Sequence, residues 1–178
     1  MAAFLVGEKI FLRAISLADA TENYLSWVND PEVTKGLVTG VYPSSMEDLR
    51  QYISSVSADK GAHMLAICDK ESGKHIGNIK LDRIDPIGRT GELGIMIGDS
   101  SFWGKGVGTE ACKLLLKYAF DELNLRKVAL TVFDNNPGAI RLYEKIGFKV
   151  EGRLRKHVFA DGEFYDKLWM GIFKEEVK

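Results

Sequence analysis

The 178-residue sequence lacks a basic excess, because its 24 lysines and arginines are balanced by 25 aspartates and glutamates, for a net charge of −1. Proteins that bind nucleic acid through its phosphates carry an excess of basic side chains. The sequence also has no apolar run near the roughly 18 residues that span a membrane. We therefore expect neither nucleic acid nor a membrane as a partner.

Cysteine and metal-binding patterns are equally scarce. Cys68 and Cys112 stand far apart, and there is no Cys-x-x-Cys motif. The histidines show no spacing typical of metal ligands: His63, His75 and His157. The first residues, "MAAFLVGEKIFLRA", already include charged side chains and do not resemble a signal peptide. We predict free thiols, no metal and a cytoplasmic location.

The residues that are present are those of a globular protein. Apolar residues make up 46% and charged residues 28% of the chain, without repeats or low-complexity segments. The length fits one domain, which we place over residues 1–178.

Hydrophobic periodicity predicts strands along the whole chain. We expect a strand or hairpin over 4–13, a hairpin of strands 63–69 and 75–84, strands over 90–99 and 127–133, and a last hairpin over 151–173 that turns at "ADGE".

Helix signals fall between these strands. Ser16 with Asp19 predicts a first helix that ends at "NDPE" (29–32), with an apolar stripe of Leu17, Tyr24, Leu25 and Val28. Further helices are predicted from Ser44 or Ser45, over 107–123, and over 136–148, where Asn136 caps, Pro137 follows and Gly147 ends the helix. The element order indicates an α/β or α+β sheet with helices packed on its faces.

The stretch "SFWGKGVGTEACKLLLKYAF" (101–120) places three glycines within five residues at the start of the longest predicted helix. A helix start offers unpaired N–H groups and a partial positive charge, and glycines allow a ligand to approach the main chain. This pattern predicts a phosphate site. It is neither a Walker A loop nor the dinucleotide pattern, and a tight turn without a ligand remains the alternative.

Two ordered motifs give this turn a more specific meaning. The spacing G-x-G-x-[G/A]-T-E-A resembles the acetyl-CoA pyrophosphate loop of the GNAT N-acetyltransferase superfamily, and "TVFDNNPGAIRLYEKIGFKVEG" resembles its second segment. The resemblance covers roughly residues 5–174 and is greatest to ribosomal-protein N-terminal and bacterial spermidine N-acetyltransferases. One departure is Trp103, which stands where the general pattern has Gln or Arg.

The resemblance implies a GNAT fold, with a central, mixed, mostly antiparallel, twisted sheet of about seven strands and helices on both faces. It implies acetyl-CoA as cosubstrate, no metal, and direct acetyl transfer to a primary amine in a ternary complex. A bulge in the 90–99 strand would splay it from the next strand and leave an N–H group to stabilise the oxyanion. The implied coenzyme contacts are Ile95, Met96, Ile97, Trp103, Gly104, Lys105, Gly106, Val107, Gly108, Thr109, Asn136, Ala139, Tyr143 and Lys145.

Two residues are candidates for the proton transfers that the reaction needs. The resemblance implies that Tyr143 protonates the coenzyme sulfur, whereas its spacing with Ile140 and Ile146 also fits a packing stripe. Glu92 opens the 90–99 strand and is the candidate base, with a solvent-facing strand residue or a water chain as the alternatives.

The acceptor amine is left open among a polyamine, a protein N-terminus, an amino-sugar nucleotide and another small amine. The resemblance implies that residues 17–58 and 155–168 select it. Acidic candidates there are Glu22, Asp30, Glu32, Glu47, Asp48, Asp161, Glu163 and Asp166, and aromatic candidates are Tyr24, Trp27, Tyr42 and Tyr52. A coenzyme-binding sensor without catalysis and a structural α/β subunit are the alternative functions, and a homodimer is left open.

Overall fold

The computed structural model describes residues 2–37 and 40–178. Its strands are β1 (Leu5–Val6), β2 (Ile10–Ala14), β3 (His63–Asp69), β4 (His75–Asp85), β5 (Thr90–Ile97), β6 (Lys127–Phe133), β7 (Lys149–Ala160) and β8 (Glu163–Phe173). They form one sheet in the order β1-β2-β3-β4-β5-β6-β8-β7. Among the described strands only β5 and β6 pair in parallel, so the sheet is mixed and mostly antiparallel, as predicted. It has eight strands rather than about seven, because residues 4–13 fold as the hairpin β1–β2.

The helices are α1 (Glu22–Asn29), α2 (Pro31–Thr34), α3 (Met46–Ala58), α4 (Val107–Asp121) and α5 (Pro137–Ile146). They pack on opposite faces of the sheet, because neighbouring strand residues enter different cores. Leu65 joins the core beneath α4 and α5, whereas Met64 joins the core with α1 and α3. The predicted arrangement of helices on both faces is therefore confirmed.

Local capping signals located most helix ends correctly. Ser45 and Asp48 form a capping box at the start of α3, with the Asp48 N–H donating to Ser45 Oγ at 3.2 Å. Asn136 Oδ1 accepts from the Ala139 N–H at 3.1 Å, and Gly147 ends α5 with φ of 124°. The two caps and the glycine at the end of α5 all depend on groups that are close in sequence.

The prediction for the first helix was wrong at its start. Ser16 precedes only a single 3₁₀ turn, Leu17–Asp19, because Ala20 has ψ of 78°, outside the helical range, and ends it. The Asp19 carboxylate also pairs with Arg13 at 2.6 Å. Helix α1 begins instead after Thr21, whose hydroxyl accepts from the Tyr24 N–H. Leu17 is consequently 56% exposed and does not belong to the apolar stripe. The "NDPE" segment does end α1, but its proline opens the short helix α2.

Both cysteines are buried and free, which agrees with the prediction of unpaired thiols. Burial raises the pKa of Cys112 to about 12, so this thiol stays protonated at neutral pH. In the part of the chain that the structure describes, no helix is long and apolar enough to cross a membrane.

Candidate active site

Strands β5 and β6 separate partway along their length. They pair only at Thr90–Lys127, Gly91–Val128 and Glu92–Ala129, after which both continue without pairing with each other. The far end of β5 still pairs with β4, up to Ile97 opposite Gly77. The two strands thus leave an opening in the middle of the sheet, as the resemblance implied.

The direction of the β5 amides follows from the register with β4. The Gly98 N–H donates to the Ile76 carbonyl at 3.0 Å, and backbone groups alternate in direction along a strand. The Met96 N–H therefore points to β4, while those of Ile95 and Ile97 point into the opening. Three of the predicted coenzyme contacts lie on β5. Ile95 and Ile97 present their N–H groups to the opening, and Met96 does not.

The position of the expected bulge was wrong. The register shift beside the opening lies in β4, between Asp82 and Asp85, where Arg83 has φ of 48°. Along the described residues of β5 the pairing with β4 is continuous from Glu92 to Ile97. Gly98, which follows β5, leaves room for the Trp27 indole, since a Cβ there would lie 2.0 Å from Cδ2 of Trp27.

The glycine turn leads from β5 into α4 with two left-handed residues. Gly104 has φ of 72° and Gly106, the N-cap of α4, has φ of 84°. A Cβ on Gly104 would meet nothing within 4 Å, and one on Gly106 would meet only Lys9 Nζ at 3.9 Å. The glycines are thus needed for the backbone conformation, and the space above them is open to a ligand.

The first turn of α4 has unsatisfied donors. The first hydrogen bond of the helix runs from the Glu110 N–H to the Gly106 carbonyl at 3.0 Å. Within the described residues, the N–H groups of Val107, Gly108 and Thr109 have no acceptor. These donors, together with the helix dipole, fit the coenzyme pyrophosphate.

The turn packs closely against the opening. A Cβ on Gly108 would lie 3.3 Å from Leu142 Cδ1 on α5 and 3.8 Å from Ile97 Cγ1 on β5. The start of α4, the end of β5 and α5 therefore meet at one place. Most of the predicted coenzyme residues lie there, whereas the Lys145 side chain is exposed on the outer side of α5.

Tyr143 belongs to the core beneath α4 and α5. Its ring packs edge-on against Phe148 with the centroids 5.7 Å apart, and only 8% of the residue is exposed. Burial raises its pKa, with a smaller contribution from the nearby Cys112. The packing stripe with Ile140 and Ile146 is confirmed, and the proton-donor role stays a prediction.

A cavity of about 590 Å³ lies on the opposite face, between the sheet and helices α1 and α3. The sheet contributes Asn78, Lys80, Asp82, Glu92, Met96 and Trp169 to its wall. The helices contribute Tyr24, Asp48, Leu49 and Tyr52. Ile95 and Phe133, from the two strands that border the opening, also line the cavity, so the cavity and the opening are continuous.

The charges of this cavity are largely paired. Arg83 Nη1 donates to both carboxylate oxygens of Glu92, each at 3.1 Å. Lys80 pairs with Asp82. Burial alone would lower the pKa of Lys80, but the pair with Asp82 together with the nearby Tyr52 outweighs burial and the pKa is raised.

The sequence located few of the cavity's charged residues. Of the eight acidic candidates, Asp48 alone lines the cavity within the described part of the chain, whereas Asp166 pairs with Arg153 at 2.8 Å on the last hairpin. Tyr24 and Tyr52 line it, Trp27 packs on Gly98, and Tyr42 is 82% exposed. The residues that sequence reasoning missed are Lys80, Asp82, Arg83, Lys167 and Trp169. For Lys80 and Asp82, alternation along β4 was the available signal.

Comparisons with known proteins agree with this geometry. The model of the acetyltransferase (GNAT) domain family matches residues 9–149. The uncharacterized N-acetyltransferase p20 of Bacillus licheniformis is 32% identical over 171 residues, covering 95% of each chain. The spermidine N(1)-acetyltransferase of Escherichia coli K12 is 38% identical over 109 residues, covering 61% of this chain and 56% of that protein.

A solved structure extends the likeness to the whole fold. The spermidine N-acetyltransferase of Vibrio cholerae, crystallised with CoA and spermine, superposes with a TM-score of 0.86 at 28% identity. The match covers 94% of this chain and 97% of that one. The fold and the site are those of an acetyl-CoA-dependent N-acetyltransferase. The chain belongs to the GNAT acetyltransferase family.

Proposed function

We propose that the chain transfers an acetyl group directly from acetyl-CoA, bound at the glycine turn, to a primary amine in the 590 Å³ cavity. The observation that carries this proposal is the continuity of the cavity with the opening between β5 and β6. The coenzyme supplies the acetyl group as a thioester. Residues 104–109 hold its phosphates, and the N–H groups of Ile95 and Ile97 stabilise negative charge on the acetyl oxygen.

The amine must lose a proton before it attacks, and Glu92 is the carboxylate at the place where β5 and β6 separate. Arg83 occupies both of its oxygens, but the Arg83 side chain is 73% exposed. An exposed ion pair exchanges readily with water. We propose that Glu92 accepts the proton through a water molecule when Arg83 moves away, and that Tyr143 returns a proton to the departing sulfur.

For the acceptor we propose an amine with a single positive charge, such as a protein N-terminus. The cavity has three acidic residues, Asp48, Asp82 and Glu92, and three basic ones, Lys80, Arg83 and Lys167. Two of the acids are already paired, and Asp48 accepts hydrogen bonds from Ser45. The same pairs neutralise Lys80 and Arg83, so the cavity wall has no excess of negative charge to attract the several positive charges of a polyamine.

A panel of amines tests this function. We expect thiol release from acetyl-CoA with a peptide N-terminus or a small monoamine, at a higher kcat/KM than with spermidine or an amino-sugar nucleotide. A higher kcat/KM with spermidine would refute the single-charge proposal while leaving the transferase intact. Binding of acetyl-CoA without transfer to any amine would indicate a sensor.

A second measurement tests the coenzyme site. Gly106→Asp and Gly108→Asp place a carboxylate at the start of α4, where it repels and blocks the pyrophosphate. We expect calorimetry to detect no acetyl-CoA binding to either variant. Both substitutions should also lower stability, because Gly106 has φ of 84° and a Cβ on Gly108 would lie 3.3 Å from Leu142 Cδ1, so circular dichroism checks that each variant remains folded. Wild-type affinity in both variants would contradict the assignment.

We also propose a homodimer of single domains. Strand β7 is an edge of the sheet, and Val150 and Leu154 on it are 50% and 45% exposed. Exposed apolar side chains on an edge strand favour association. Light scattering coupled to size exclusion distinguishes a dimer from a monomer, and a monomer at micromolar concentration would refute this part.

A further inference from the structure

The N-terminal hairpin contacts the coenzyme turn although nearly a hundred residues separate them. Lys9 lies between β1 and β2, and its Nζ donates to the Lys105 carbonyl at 2.9 Å. The Lys9 backbone N–H donates to Oε1 of Glu110, in the first turn of α4, at 3.0 Å. Gly7 allows this docking, since a Cβ there would lie 2.0 Å from Glu110 Oε1. Two hydrogen bonds therefore hold Lys9 against the glycine turn.

The Lys9 ammonium lies beside the N-cap of α4. A Cβ placed on Gly106 would be 3.9 Å from Lys9 Nζ, with no other atom within 4 Å. An ammonium group has three donors, and the Lys105 carbonyl takes one of them. Lys9 forms no ion pair with any described residue, so the remaining donors are available. The acidic residues around Lys9 are Glu110, which accepts from its backbone N–H, and Glu8, Asp69 and Glu71, which line the same surface cavity as Lys9.

The side chains of the turn itself are directed elsewhere. The Trp103 indole N–H donates to the Ile97 carbonyl at 2.8 Å. The Lys105 ammonium lies over the Phe102 ring, 5.3 Å from its centroid. Thr109, half-buried, is uncharged. Lys9 is therefore the cation that lies beside Gly106, the N-cap residue that precedes the open N–H groups of Val107, Gly108 and Thr109.

We propose that Lys9 is a coenzyme-binding residue whose ammonium contacts the pyrophosphate of acetyl-CoA at the start of α4. The inference rests on the proposed coenzyme site. It adds to that site a residue that lies nearly a hundred positions earlier in the sequence. A charge-assisted hydrogen bond from Lys9 complements the backbone donors, which carry only partial charges.

Three variants and two acetyl donors test the proposal. Lys9→Met removes the charge and keeps the aliphatic stem, Lys9→Arg restores a cation, and Lys113→Met removes an exposed lysine further along α4 as the matched control. Acetyl-pantetheine carries the same thioester without the phosphates. We expect Lys9→Met to weaken acetyl-CoA binding about tenfold or more at low salt, and less at high salt. Lys9→Arg should recover most of the affinity, and kcat/KM with acetyl-pantetheine should not change.

The same experiment separates binding from mere support of the turn. If Lys9→Met weakens the use of both donors equally, Lys9 only holds the turn and the proposal is wrong. It is also wrong if Lys9→Met and Lys113→Met bind acetyl-CoA with the same affinity. Glu110→Gln, which weakens the docking and keeps the Lys9 charge, should retain more affinity than Lys9→Met. Failure of the wild-type protein to bind acetyl-CoA would instead refute the coenzyme site.

Discussion

The indole nitrogen of Trp103 donates a hydrogen bond to the carbonyl oxygen of Ile97, with 2.8 Å between the two atoms. Ile97 is the last residue of β5, and Trp103 immediately precedes the glycine turn. The bond therefore ties the strand that borders the opening to the loop that begins α4. A Gln or Arg at position 103 would not give this flat, fixed donor, so the departure from the general family pattern has a structural consequence.

Trp103→Phe should raise the KM for acetyl-CoA by about threefold to tenfold, because one neutral hydrogen bond contributes about 0.5–1.5 kcal/mol. An aromatic ring is retained, and the Ile97 carbonyl loses the indole N–H that donates to it. Because Trp103 acts by positioning β5 and the turn, kcat should change less than KM. Steady-state kinetics with the best amine of the panel measures both constants. An unchanged KM would show that the turn keeps its position without this bond.

Glu92→Gln should lower kcat/KM at least tenfold, because positioned bases contribute about 10²–10⁴-fold and water can replace part of that. Arg83→Met is the matched control, since it removes the partner of Glu92 and leaves the carboxylate in place. We expect this control to be at least as active as the wild type. Equal rates for Glu92→Gln and the wild type would favour a water chain without a dedicated base.

Tyr143→Phe should lower kcat by at least about tenfold with little change in acetyl-CoA affinity. Because burial raises the pKa of Tyr143, its hydroxyl carries a proton at neutral pH and is able to donate it. The substitution keeps the ring that packs on Phe148, so the melting temperature should stay close to that of the wild type. Wild-type turnover, with chemistry shown to be rate-limiting, would leave Tyr143 with its packing role alone.

Gly98→Ala should destabilise the fold by about 1–3 kcal/mol, because the added methyl would overlap the Trp27 indole and force it to move. Gly152→Ala is the control, since a Cβ there would make an ordinary contact with Trp169 Cβ at 3.9 Å. Urea unfolding measures both free energies. Equal stability of the two variants would show that the indole relaxes without cost.

The sequence determined the features that depend on short-range chemistry. The caps at Ser45 and Asn136, the end of α5 at Gly147 and the hairpin turn after Ala160 were all predicted at their observed places. Each is decided by groups within about four residues of one another, such as an Asn side chain and the N–H three positions later. The glycine turn was recognised for the same reason, since its left-handed residues and the following helix are adjacent.

The first helix shows a local capping signal that did not lead to a helix. Ser16 and Asp19 formed the predicted cap, but Arg13 on β2 also holds the Asp19 carboxylate, and the helix starts five residues later than its cap predicted. Of the eight acidic candidates, the described residues of the cavity wall include only Asp48. Asp166 is neutralised by Arg153 across the hairpin, and no spacing along the chain reveals that partner.

Tertiary structure alone decided where the cavity between the sheet and helices α1 and α3 lies and which cations border the glycine turn. Lys80 and Glu92 share a wall because β4 and β5 are paired in one register, and a shift of β4 by one residue would turn Lys80 to the other face. Lys9 reaches Lys105 because α4 packs against β1 and β2 as well as β4 and β5, which brings the turn of the first hairpin beside the start of α4. Strand order and register are set by the burial of two whole cores, which is a sum over many distant contacts. A local sequence pattern therefore does not predict strand order or register.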